Sequence, residues 1–218
     1  MEPKYRVMIV DDHELFRDGL KFVLSQSEKA EVVGEATNGI EFLETVDQIN
    51  PDLVLMDISM PEMDGIEATQ KILQTNPNLK IVALSMFGDE EYYFRMIHAG
   101  VKGFVLKKSG KKDLEKAIEE VMRGESYFSN ELLRNIILNI TDKRSAKAAH
   151  NEDVPLTKRE KEILYYICRG YSNNEIAEHL HLSPKTVNGH RTNLLSKTNS
   201  KNSINLVMFA IKNNLFQV

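Results

Sequence analysis

Short apolar runs alternate five times with amphipathic stretches over roughly the first 125 residues, and this alternation constrains the fold of the 218-residue chain more than any other feature. The runs are Tyr5–Val10, Val32–Ala36, Leu53–Met56, Lys80–Ser85 and Gly103–Leu106. Each is too short for a core helix and carries the Val, Ile and Leu content of a strand buried on both faces. Between them, segments near 13–25, 38–49, 65–76, 89–99 and 111–123 repeat apolar residues at helical spacing. Five such units predict a doubly wound α/β domain, a five-stranded parallel sheet with helices on both faces. Right-handed crossovers bring every strand's C-terminal end to one edge, where sheets of this kind bind ligands.

The remainder changes character. Glu131–Ile140 reads as a short helix with Ser129 as its cap, and 141–153 lacks apolar periodicity and reads as a polar linker. Helix-start signals follow. Thr157 precedes Glu160 by three residues and Ser172 precedes Glu175 by three, which is the capping-box spacing. Ser183-Pro184 sets a cap residue before a first-turn proline, Gly170 closes a helix, and a fourth helix runs from about Asn202 to Asn213. Four short helices in about 60 residues predict a smaller all-α unit. The expected organisation is a domain at 1–125, a linker with a short helix at 126–153, and a helical domain at 154–218.

Composition narrows the functional classes. No segment approaches the roughly 20 apolar residues that span a bilayer, and Met1-Glu2-Pro3-Lys4-Tyr5 has no signal-peptide character. No membrane association is expected, and a cytoplasmic location is. The single Cys168 excludes an internal disulfide and falls at helical spacing with Ile163, Leu164 and Ile167, as a packed thiol would. The net charge of −4 conceals an asymmetry. Residues 1–140 carry 16 Lys and Arg against 25 Asp and Glu, while residues 150–218 carry 9 against 6. Only the second part has the sign to meet a polyanion.

The strand ends carry the chemistry. Asp11 and Asp12 follow the first run, Asp57 the third, Ser85 ends the fourth and Lys107 follows the fifth. Singly, an acid pair after a strand, a strand-end serine or a lysine is ordinary; four strands sending such groups to one edge is a specific pattern. Three hard carboxylates form a cation site suited to Mg²⁺. A carboxylate beside a dication can attack phosphorus, with Lys107 and Ser85 meeting the phosphoryl oxygens.

Residues 1–125 resemble the receiver domain of two-component response regulators, and the whole chain resembles the NarL/FixJ class. The resemblance lies in Val10-Asp11-Asp12-His13-Glu14-Leu15-Phe16-Arg17-Asp18-Gly19-Leu20, Asp57-Ile58-Ser59-Met60-Pro61-Glu62-Met63-Asp64-Gly65, Leu84-Ser85-Met86 and Gly100-Val101-Lys102-Gly103-Phe104-Val105-Leu106-Lys107. It implies a flavodoxin-like receiver with Asp57 as phosphoacceptor and a Mg²⁺ site formed by Asp11, Asp12, Asp57 and the main-chain carbonyl of Ser59. Ser85 is then the switch hydroxyl, Phe104 the switch aromatic and Lys107 the phosphate partner. Slow loss of the phosphoryl group would be tuned by Ser59 and Phe87.

In the second part, Ser183 to Leu195 is the helix of interest. At 100° per residue Thr186, Val187, His190 and Leu194 share a face that should pack inward, and Lys185, Asn188, Gly189 and Thr192 share the other, with Arg191 on its flank. A small, polar, weakly basic face suits a DNA major groove. The DNA-contacting set is Lys185, Thr186, Asn188, Gly189, Arg191 and Thr192, Thr186 belonging to both groups. His190 reads as packed or backbone-bonded, since no Cys or second His stands at ligand spacing, and His179 and His181 read as surface turn residues. Residues 155–216 resemble the LuxR-type helix-turn-helix in Leu156-Thr157-Lys158-Arg159-Glu160, Asn174 to Leu180 and Ser183 to Val187 with His190. Asn188 stands where that family usually has Lys, and Thr198 where Leu is common.

The expectation is a DNA-binding transcription regulator whose affinity is set by phosphorylation of Asp57, with no turnover chemistry. Its partners would be a sensor histidine kinase, double-stranded DNA and, when phosphorylated or DNA-bound, a second copy of itself. The alternative is a magnesium-dependent phosphohydrolase on a similar sheet. Such enzymes place Asp-x-Asp after the first strand, whereas here the acids are adjacent and position 13 is His. A receiver acting unphosphorylated through protein contact is a third reading.

Overall fold

Residues 3–86, 90–128, 154–213 and 215–216 are described by the computed structural model. The chain divides into two compact units, Met1–Tyr127 and Phe128–Val218.

In the first unit the apolar runs form β1 (Tyr5–Val10), β2 (Ala30–Ala36), β3 (Leu53–Asp57), β4 (Lys80–Ser85) and β5 (Gly103–Leu106). They pair in parallel in the order β2-β1-β3-β4-β5. The intervening helices are α1 (Glu14–Ser25), α2 (Gly39–Ile49), α3 (Gly65–Thr75), α4 (Glu90–Ala99) and α5 (Lys111–Met122). All five residues of β3 are buried, the apolar Leu53–Met56 as expected of a central strand and Asp57 with them. The chain leaves β1 first to one side and then, after β2, to the other, so a crevice opens at the carboxyl ends of β1 and β3.

Register aligns the polar residues there. Val10 is the partner of Met56, so Asp11 and Asp57, each one residue further on, arrive level. Asp57 is in turn opposite Leu84, and Ser85 is opposite Leu106, the residue before Lys107. One feature beyond the expected elements appears at the sheet margin: Tyr127 lies along β5, accepting from Phe104 N–H at 2.8 Å and donating to the Lys102 carbonyl at 3.0 Å. It covers β-edge groups that would otherwise be open to pairing.

The second unit contains α6 (Lys158–Cys168), α7 (Asn173–Leu180), α8 (Pro184–Lys197) and α9 (Ser203–Lys212). Both capping boxes form, Thr157 with Glu160 and Ser172 with Glu175, and Ser183 and Asn202 cap α8 and α9. Gly170, at φ 81°, follows the end of α6. Three residues join α7 to α8, the first of them His181 in the left-handed region at φ 53°. The core includes Ile163, Leu164, Ile176, Val187, Leu194 and Leu206, with Cys168 buried among them. Burial pushes the Cys168 thiol up to about 12, so it serves as packing, not as a nucleophile. The expected helix at Glu131–Ile140, its cap Ser129, the linker 141–153 and Phe87 lie outside the described residues.

Candidate functional site

The carboxylate edge is held together by Lys107. Its side chain is buried, and its ammonium lies 2.8 Å from Asp11 Oδ2 and 3.0 Å from Asp57 Oδ2. It also stands 4.9 Å from the centre of the Phe16 ring. Burial opposes the lysine charge, but the contacts with Asp11 and Asp57 outweigh it and hold the ammonium above its ordinary value. Asp57 is 4% exposed, and its Oδ1 accepts from the N–H of Ile58 at 2.9 Å. Burial, reinforced by the charge of Asp11, pushes its carboxyl up to about 6 against the pull of Lys107. One ammonium therefore leaves the buried acid pair short of positive charge.

The donor set fits a dication. Oxygens of Asp11, Asp12 and Asp57 and a nitrogen of His13 lie within 4.8 Å of one another. Asp11 Oδ2 is fully buried, with the Lys107 ammonium 2.8 Å away as its counter-charge. Ser59 follows two residues after Asp57, exposed in the loop at the same edge.

On the far side of Asp57, Ser85 is buried and its hydroxyl donates to the Met86 carbonyl at 2.8 Å. The Tyr93 hydroxyl of α4 donates to that same carbonyl at 3.2 Å. Phe104 is buried with its ring edge-on to Tyr93, the centroids 5.3 Å apart. Lys107 N–H donates to the Ser85 carbonyl at 2.8 Å, tying β4 to the start of the β5–α5 loop.

Four residues at this edge escaped sequence reading. Arg17 is buried in α1 and donates to the Asp11 carbonyl at 2.8 Å while pairing with Glu35. A Cβ on Gly65 would stand 1.9 Å from the Asp57 carbonyl oxygen, so α3 starts against the back of Asp57 only because residue 65 has no side chain. Tyr93 shares an acceptor with Ser85. His13 sits against Asp12 and Asp11, and its only sequence signal is adjacency to the acid pair.

In the second unit, α8 turns its Val187–Arg191–Leu194 ridge inward. Arg191 is 6% exposed, which corrects its expected place on the outer flank: i, i+4 and i+7 form one row, and that row packs into the core. Thr186 is corrected the other way. It is exposed, and its hydroxyl lies 2.8 Å from that of Ser183 at the helix start. Lys185, Gly189 and Thr192 are exposed, Asn188 and His190 half-buried. A Cβ on Gly189 would meet nothing within 4 Å, so its lack of a side chain serves no contact inside the unit. Thr198 is buried, its hydroxyl donating to the Leu194 carbonyl at 2.8 Å, which explains how a polar residue is accommodated there. His179 is exposed and stacks on Tyr166 at 5.2 Å, and His181 is exposed in the turn.

The chain matches two families. Residues 7–119 match the response regulator receiver domain, and residues 154–210 match the bacterial regulatory proteins of the luxR family. It is similar to oxygen regulatory protein NreC of Staphylococcus epidermidis, at 38% identity covering 97% of this chain and 99% of NreC. Among solved structures it is similar to RcsB of Salmonella enterica serovar Typhimurium bound to promoter P1flhDC with the phosphomimetic BeF3-, at 25% identity, TM-score 0.58, covering 96% of this chain and 99% of that one. A structure of two RcsB dimers bound to two parallel DNAs matches at 25% identity and TM-score 0.57, covering 96% and 99%. The described residues contain no helix long and apolar enough to cross a membrane. With a receiver in one unit and a LuxR-type helix-turn-helix in the other, the chain belongs to the NarL-type response regulators, DNA-binding transcription regulators of two-component systems.

Proposed function

We propose that Asp57 is the phosphoacceptor of this regulator and that its phosphorylation by a sensor histidine kinase sets the affinity of the helix-turn-helix for DNA. The observation that carries this reading is the Lys107 ammonium bridging Asp11 and Asp57 at 2.8 and 3.0 Å in a buried pocket at the strand ends. An Asp57 carboxylate oxygen would attack the phosphohistidine phosphorus, the N–P bond would break, and the acyl phosphate so formed would keep Lys107 on its oxygens. Asp11, Asp12, Asp57 and the Ser59 carbonyl would hold Mg²⁺. The ion, when bound, would offset the negative charge shared by carboxylates and phosphoryl group. Ser85 would leave the Met86 carbonyl for a phosphoryl oxygen, and the Phe104–Tyr93 pair would carry the change to α4. Leu15 and Phe22, exposed two turns apart on α1, would offer a kinase an apolar surface.

The receiver is assigned to 1–125, the linker with its short helix to 126–153, and the DNA-binding domain to 154–218. Lys185, Thr186, Asn188, Gly189 and Thr192 are the assigned DNA contacts. Arg191 acts from the core by setting how α8 sits. The RcsB dimers on DNA support pairing of two copies, and a cytoplasmic location follows from the work proposed. Turnover of a phosphomonoester is not expected, and family membership disfavours the phosphohydrolase alternative.

The test is phosphorylation of the full chain by a small phosphodonor with Mg²⁺, read as a mobility shift on phosphate-affinity gels. Wild type should shift and Asp57→Ala should not. Equal phosphate uptake by both would end the assignment.

A further inference from the structure

His13 occupies a helix-start position without serving the helix. It is the N-cap of α1, yet its ring makes no capping hydrogen bond, where Ser, Thr, Asp or Asn would accept from the first-turn N–H groups. Nor does it fill the core, since its side chain is 62% exposed. Its backbone N–H donates to Asp11 Oδ1 at 2.9 Å, and this short turn folds the ring back over the acids. Nδ1 then lies 2.9 Å from Asp12 Oδ1 and 3.3 Å from Asp11 Oδ1.

The ligand atoms of Asp11, Asp12, His13 and Asp57 span at most 4.8 Å. Opposite donors on a six-coordinate ion with bonds of about 2.1 Å are roughly 4.2 Å apart. A small rotation of an exposed imidazole closes that difference. Oxygen donors alone suit Mg²⁺; an imidazole nitrogen suits Mn²⁺, Ni²⁺ and Zn²⁺ better. Asp11 and Asp57 are buried and share a single ammonium, that of Lys107 at 2.8 and 3.0 Å, which leaves this acid cluster with an excess of negative charge.

We propose that His13 is a nitrogen ligand of this pocket and makes it a site for borderline transition-metal dications, Mn²⁺ among them, as well as for Mg²⁺. The inference rests on the cation-site reading of Asp11, Asp12 and Asp57, and adds to it a residue that sets which ion is preferred. The same pocket then serves two classes of ion, and His13 decides the balance between them.

Two measurements on the full chain test it: calorimetric titration with MgCl2 and with MnCl2, and pulsed electron paramagnetic resonance of the Mn²⁺-loaded protein for ¹⁴N coupling. His13→Ala and His13→Gln should each lower Mn²⁺ affinity about tenfold or more, leave Mg²⁺ affinity within about twofold, and abolish the nitrogen coupling seen in wild type. Absence of ¹⁴N coupling in wild type would overturn the proposal. So would an equal loss of Mg²⁺ and Mn²⁺ affinity in both variants, because His13 would then only orient Asp12. Failure of the underlying reading looks different: wild type would take up neither ion, and Asp11→Asn would change nothing.

Discussion

At the scale of single residues, Asp57 carries an electrostatic load that can be measured without any partner. Its carboxyl is pushed up to about 6 from an ordinary value of 3.8, by burial first and by Asp11 second. Because the folded-state value lies above the unfolded one, the penalty of ionisation is fully present above about pH 6 and is relieved as pH falls toward 4. In dication-free buffer, Asp57→Asn should therefore be more stable than wild type at pH 8, by on the order of 1–3 kcal/mol, and the gap should shrink at pH 5. Thermal unfolding at both values checks this, and a gap that widens on acidification would reverse the sign. The acid itself is legible in the sequence because a short apolar run ending in a carboxylate is the pattern of a buried strand that delivers one acid to the sheet's rim. Gly65 is not, since its role is the lack of a Cβ that would otherwise collide with the Asp57 carbonyl oxygen, a close approach that only the assembled loop reveals. His13 is visible as a neighbour of the acids, but the direction of its ring depends on the turn closed by its N–H on Asp11.

The elements are read best where their chemistry is local. Both capping boxes satisfy orphan donors with residues three positions away, so the pattern in the chain and the bonds in the structure are the same fact. Glu160 goes further than its cap. Its carboxylate also meets Lys197 at 2.9 Å, joining the start of α6 to the last turn of α8. Burial opposes that charge, but the Lys197 and Thr157 bonds outweigh it and keep the carboxyl below its usual range. A helical wheel, by contrast, orders residues around an axis without saying which way the helix is turned. That is why Arg191 and Thr186 exchanged sides, and why Tyr127 beside β5 had no signal in a stretch lacking strand periodicity. The outer face of α8 admits a test in which two effects oppose. A methyl at Gly189 meets nothing within 4 Å, and Ala exceeds Gly in a helix interior by about 1 kcal/mol. Gly189→Ala should thus raise the melting temperature of the second unit while weakening DNA binding, if that face enters the groove. Higher stability with unchanged affinity would remove Gly189 from the DNA contacts.

On the scale of the whole molecule, charge decides how the two units divide the work. Residues 1–140 carry nine more acids than bases, whereas residues 150–218 carry three more bases than acids. Lys185 is the only basic residue among the assigned DNA contacts, and it is exposed, whereas Arg191 of the same helix is buried. A single copy therefore neutralises few phosphates, and each one neutralised steepens the salt dependence by about 0.9. Pairing two copies on one site doubles that number without altering either unit. If phosphorylation acts by pairing, the phosphodonor should make DNA binding cooperative in protein concentration and should roughly double the slope of log affinity against log salt. If it acts only by freeing the helix-turn-helix, affinity should rise with the slope unchanged. Fluorescence anisotropy between about 50 and 200 mM salt separates these outcomes. Lys185→Ala serves as the internal scale: it should lower the slope by about one per bound copy on every sequence. Asn188→Ala should leave the slope intact and change which sequence is preferred. The sign and size of the phosphate-induced change in slope, set against the Lys185→Ala scale, then count how many copies a phosphorylated Asp57 brings to the DNA.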